Sequence, residues 1–128
     1  MRRYAALGLV LLAVPTLAFA AKKGDYKGKV VGDRDADVTF RVEGKYVKAF
    51  AIDSVSASCG QLTTVTVFVP KARIRHNKFR RRYTPVQGID QKIRLRGSFD
   101  GKKASGTIKG GPTCVYDEEW TARRRPAD

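Results

Sequence analysis

The period of the apolar residues constrains this fold more than any other feature of the sequence. Val38, Phe40 and Val42 alternate with Thr39, Arg41 and Glu43, which is the repeat of a strand with one buried face. Ile93, Leu95 and Phe99 repeat the pattern against Lys92, Arg94 and Arg96. KYVKAFAIDSV alternates less cleanly, with Tyr46, Phe50 and Ile52 on one side and Val47, Ala49 and Ala51 on the other. That mixture predicts partial burial of both faces. TTVTVFVP is β-branched almost throughout and is expected to stop at Pro70, which cannot donate to a ladder. The final strand is read from Cys114, with Tyr116, Trp120 and Ala122 on the same parity.

Turn residues punctuate these runs at Glu43-Gly44-Lys45, His76-Asn77 and Asp100-Gly101. Beyond residue 20, no segment sustains the i, i+3, i+4, i+7 spacing of an amphipathic helix, which leaves room for at most a short helix near Pro85–Asp90. The expected fold is all-β: an antiparallel β-sandwich or partly open barrel of about eight short strands.

The first twenty residues stand apart. Arg2 and Arg3 precede the apolar run Ala5–Val14, Pro15 breaks it, and Ala18-Phe19-Ala20 places small residues at −3 and −1. This is the layout of a Sec-type signal peptide cleaved after Ala20. Ten apolar residues are too few to span ~30 Å of hydrocarbon. The reading is therefore a leader at 1–20 and a single secreted β domain at 21–128, with no transmembrane span in the mature chain. The leader carries two arginines and no acid, so its removal lowers the formal charge from +14 to +12.

Cys59 and Cys114 are the two cysteines of the chain. An even count in an exported protein predicts a disulfide. That bond requires Cα atoms roughly 4.4–6.8 Å apart and is expected to tie a middle strand to the last one. No Cys-x-x-Cys motif is present, and one distant histidine cannot complete a four-ligand zinc site.

The stretch KARIRHNKFRRRY, residues 71–83, is the most charged part of the chain. Between residues 71 and 96 there are ten Lys or Arg and one acid, Asp90. Ala72, Ile74, Phe79, Tyr83, Ile93 and Leu95 alternate with the cations, so the segment is expected to be a strand face and not a free basic arm. Its outward set is Lys71, Arg73, Arg75, Lys78, Arg80, Arg82, Lys92, Arg94 and Arg96. Arg81 shares the parity of the aromatics and requires either an exposed strand end or a bulge.

Other constellations carry less. Asp33-x-Asp35-x-Asp37 opens like a calcium loop, but Val38 and Gly44 stand where the sharp-turn Gly and the bidentate Glu belong. Asp117-Glu118-Glu119 alternates faces on a strand, so only Asp117 and Glu119 are expected to share a side. His76 has no acid beside it, and no Gly-x-Ser-x-Gly elbow accompanies Ser54, Ser56, Ser58, Ser98 or Ser105. No metal or organic cofactor is expected.

Tyr26 and Gly28, the Val38/Phe40/Val42 strand, Cys59, Phe79, Gly97-Ser98-Phe99, Ala104-Ser105-Gly106-Thr107, Cys114 and Trp120-Thr121-Ala122-Arg123 follow one another in a suggestive order. Over residues 24–123 this resembles a mostly uncharacterised group of small secreted bacterial β-sandwich proteins with one disulfide. The resemblance implies a fold and no catalytic residues, and the Arg-rich segment departs from it.

The expected function is that of a secreted or envelope-associated, non-enzymatic binding domain that meets polyanions through a basic sheet face. The partners expected are anionic envelope polymers, anionic lipid headgroups or acidic proteins, with no specific nucleic acid. A small extracytoplasmic hydrolase assembled only in three dimensions, and a secreted inhibitor presenting a basic loop at His76–Arg82, are the alternatives. A solvated charged face with no specific partner stands beside all three.

Overall fold

A computed structural model describes residues 21–126, so the expected leader at 1–20 lies outside the described residues. Eight antiparallel strands follow one another: β1 (Gly24–Val30), β2 (Asp33–Glu43), β3 (Tyr46–Ser58), β4 (Leu62–Arg75), β5 (Lys78–Tyr83), β6 (Gln91–Asp100), β7 (Lys103–Pro112) and β8 (Tyr116–Arg124). Each pairs with its sequence neighbour, and β1 also pairs with β8 from Tyr26↔Arg124 to Val30↔Trp120. That pairing closes a barrel, so of the two expected architectures the structure takes the barrel, fully closed and not partly open, in place of the sandwich. Residues 84–90 form a loop with no helical turn.

Alternation puts the apolar side chains inside and the charged ones outside, the reverse of the pattern that a membrane-spanning barrel requires. The interior is filled, as an eight-stranded barrel permits. Trp120 lies at its centre, fully buried and in T-shaped contact with Phe40 and Phe50 at 5.8 and 5.2 Å. Tyr26 stacks on Phe40 at 4.8 Å, and its hydroxyl donates to the Lys22 carbonyl at 2.7 Å. Glycine makes the central layer possible. A Cβ on Gly97 would lie 2.2 Å from the Phe79 ring and 2.9 Å from Trp120. On Gly106 it would lie 1.9 Å from the Arg96 carbonyl oxygen, so the β6 backbone leaves no room for a side chain there.

The mixed pattern of β3 has a simpler cause than two buried faces. Val47, Phe50, Ile52, Val55 and Ala57 are buried, and the spacing of three between Val47 and Phe50, and again between Ile52 and Val55, marks two interruptions. Ala49 (φ 52°) and Ser54 (φ 60°) take left-handed backbone at those places, and the register shifts with them. Each is an inserted residue that resets the inward parity. Pro70 lies across from Ala49, between the pairs Lys48↔Lys71 and Phe50↔Val69. At this irregularity β4 also skips a residue, from buried Val69 to buried Ala72. Pro70 therefore passes through the strand instead of ending it.

Cys59 and Cys114 are bonded, with Cα atoms 4.2 Å apart, just short of the expected range. Both lie in connections, β3–β4 and β7–β8, and not in a middle strand and the last strand as the sequence predicts. Ser58 and Val115 exchange both backbone hydrogen bonds beside the bridge, at 3.0 and 2.8 Å. The Gln91 side chain donates to the Cys114 carbonyl at 2.9 Å and accepts from its N–H at 2.7 Å. The tip of the β3–β4 hairpin is thus held to the β7–β8 connection covalently and by the backbone.

Candidate functional site: the cationic wall

The β4–β5 hairpin turns on His76 and Asn77, both in left-handed backbone at φ 51° and 61°, as a two-residue turn between right-twisted strands requires. It aligns Ile74 with Phe79 and Arg75 with Lys78, and no further pair forms between these strands. β5 then pairs with β6 in unbroken register from Lys78↔Ser98 to Tyr83↔Ile93. Arg81 is therefore not displaced by a bulge. It is exposed at inward parity where β5 has left β4, and its guanidinium lies 5.8 Å from the Tyr83 ring centroid.

This register places cations opposite cations. Arg80 faces Arg96 and Arg82 faces Arg94 across β5–β6, and Arg94 faces Lys109 across β6–β7. Arg73, Arg75, Lys78, Arg80 and Arg96 stand around a groove of about 780 Å³ whose floor is Gly97, Ser98, Ser105, Gly106 and Thr107. Arg80, Arg81, Arg82, Arg94 and Arg96 line a smaller depression beside it. Lys71 and Lys92 lie outside both; the Lys71 ammonium sits over the Tyr46 ring at 4.1 Å.

Four of the described acids are engaged in ion pairs, all outside β4, β5 and β6. Asp25 and Glu43 meet Arg41, Glu43 meets Lys48 at 3.0 Å, Asp37 meets Lys29, and Asp117 lies 3.9 Å from Lys109. Among the described residues no ion pair involves β4, β5 or β6. The Lys29 ammonium holds the Asp37 carboxyl below its ordinary range by hydrogen bonding and charge. Lys48 does the same to Glu43, aided by Arg41. Asp33 accepts the Asp35 N–H at 3.0 Å. Asp33 and Asp37 of the calcium-like run are thus engaged in a turn and an ion pair. His76 lines neither of the grooves that contain Ser98 and Ser105.

The sequence reading missed two parts of this site. Lys109 lies on β7, and its place beside Arg94 depends on pairing. The small floor residues carry no charge to draw attention, although Gly97-Ser98 and Ser105-Gly106-Thr107 mark two strands that lack long outward side chains at one level. Asp117 and Glu119 share the outward side of β8, as the alternation predicts, and leave Glu118 on the other. It takes the inward parity opposite Ile108 and is half-buried, and desolvation with Asp33 and Asp117 nearby raises its pKa.

Fold and wall together define a filled, disulfide-pinned, up-and-down β-barrel with one cationic side. No protein-family model, curated protein or solved structure matches the chain.

Proposed function

We propose that this barrel is an exported, non-enzymatic binding module that holds anionic polymers against its β4–β6 wall. The leader-like N-terminus and the single disulfide support an extracytoplasmic setting. One observation carries the binding reading: the cross-strand pairs Arg80↔Arg96 and Arg82↔Arg94, with no carboxylate engaging them among the described residues. Like charges directly opposite one another weaken a sheet. An anion entering between two guanidinium groups relieves that repulsion while it gains bidentate hydrogen bonds. The wall is therefore arranged so that binding removes a cost already present in the free protein. Its high positive potential also speeds encounter with polyanions, most of all at low salt.

The test replaces Arg73, Arg75, Arg80, Arg82, Arg94 and Arg96 together with Gln and measures retention on an immobilised phosphate polymer across a NaCl series. The parent should be retained to higher salt, and the slope of log affinity against log salt should fall in the variant. A folded variant with the parent's affinity and slope would refute the assignment.

A further inference from the structure

The outward side chains at one level of the barrel form a row that leaves the arginine wall. Arg75 faces Lys78, Lys78 faces Ser98, Ser98 faces Ser105, Ser105 faces Thr121, and Thr121 faces Lys29. The row crosses from β4 through β8 to β1. At ~4.8 Å between neighbouring strands it covers about 24 Å of arc. Ser98 and Ser105 line the arginine groove and also a second groove, walled by Lys27, Lys29, Lys103 and Arg123. The two grooves therefore join over these serines into one channel. Each end is cationic, and the middle is floored by the hydroxyls of Ser98, Ser105 and Thr121. Lys29 is engaged by Asp37, and Asp100 faces Lys103 within the second groove. Lys27 and Arg123 are left without an ion pair among the described residues.

We infer that this channel holds one linear chain in which phosphate groups are joined by hydroxylated units, a polyol-phosphate or sugar-phosphate polymer. The inference rests on the polyanion reading above and adds the form of the ligand. Cations at both ends match anions separated along a chain. The neutral hydroxyls between them donate and accept, which suits the hydroxylated links between phosphates. A planar lipid surface meets a curved barrel wall along one line and cannot reach both ends of an arc that follows the curve. An acidic peptide places carboxylates over the hydroxyl floor, where no cation awaits them.

The probes are synthetic glycerol-phosphate oligomers of graded length, phosphatidylglycerol vesicles and poly-glutamate. Oligomers shorter than the arc should bind at the arginine end alone. Those that span it should bind at least tenfold more tightly, because the second contact becomes intramolecular. Ser98→Gln with Ser105→Gln fills the middle without changing charge, and Lys103→Gln with Arg123→Gln weakens the far end. Each pair should abolish the gain with length, and the Lys103/Arg123 pair, which lies outside the arginine groove, should leave short-oligomer binding unchanged. Equal affinity of short and long oligomers would overturn the channel while the arginine face stood. So would vesicles or poly-glutamate binding as tightly per charge as the spanning oligomer. Undiminished binding of short oligomers by the six-arginine variant would instead remove the face itself.

Discussion

Arg96→Glu should make the barrel more stable and a poorer binder. Arg96 is outward and exposed, faces Arg80 across β5–β6, and lies between Arg94 and Ser98 on its own strand. Two unit charges with heads ~8 Å apart repel by about 0.5 kcal/mol in water. Reversing one charge removes that repulsion and adds an attraction of the same size, so the expected gain is about 1 kcal/mol at low salt. For a domain of this size that corresponds to roughly 4–8 °C in Tm. The assay is thermal unfolding with the disulfide intact, at low salt and at 1 M NaCl, where the Debye length is about 3 Å. The parent should gain stability as salt rises, and the advantage of Arg96→Glu should largely vanish at 1 M. At low salt the variant should elute earlier from a phosphate polymer. A parent whose stability is flat or falling with salt, or a variant destabilised at low salt, would show that the facing arginines do not repel. The argument for binding would then lose its physical basis.

Cys59→Ser with Cys114→Ser opens a loop of 55 residues' separation; the chain-entropy estimate puts the loss at about 4 kcal/mol, read by urea unfolding. Gly106→Ala should cost about 3 kcal/mol in the same assay, because its Cβ would lie 1.9 Å from the Arg96 carbonyl oxygen and the backbone would have to move. Glu118 has a folded pKa raised above its ordinary value, so the folded state holds its proton more tightly than the unfolded one. Its contribution favours folding below that ordinary value, and stability is lost as pH rises through the window up to the folded pKa. Glu118→Gln should therefore raise the Tm of the protein at neutral pH and should flatten the pH dependence of Tm over the mildly acidic range.

The segregation of charge has a structural corollary. Four cross-strand ion pairs link β1 to β2, β2 to β3 and β7 to β8 on the outside, whereas β4 meets β5 through two residue pairs. The cationic wall thus coincides with the least-paired seam of the barrel. Across that seam β4 and β5 are held by these two pairs and by the burial of Ala72 and Phe79 in the shared core.

Local patterning was enough to read the strands themselves. The alternation of Val38, Phe40 and Val42, and of Ile93, Leu95 and Phe99, identified buried faces that the barrel keeps. His76-Asn77 was legible as a turn because a two-residue hairpin demands positive φ, which Asn tolerates. The outward parity of Arg73, Arg75, Arg80, Arg82, Arg94 and Arg96 followed from the apolar residues between them. Closure did not. Whether eight strands make two sheets or one ring is decided by β1 meeting β8, residues about a hundred positions apart, and strand period carries no information about that pairing. The interruptions at Ala49 and Ser54 were hidden for a related reason: an inserted residue is defined by what lies across from it. Cross-strand register alone set Arg80 against Arg96, brought Lys109 beside Arg94, and aligned Ser98, Ser105 and Thr121 between two cationic clusters. The composition of the site was local information. Its shape arose from hydrogen-bonded neighbours distant in the chain.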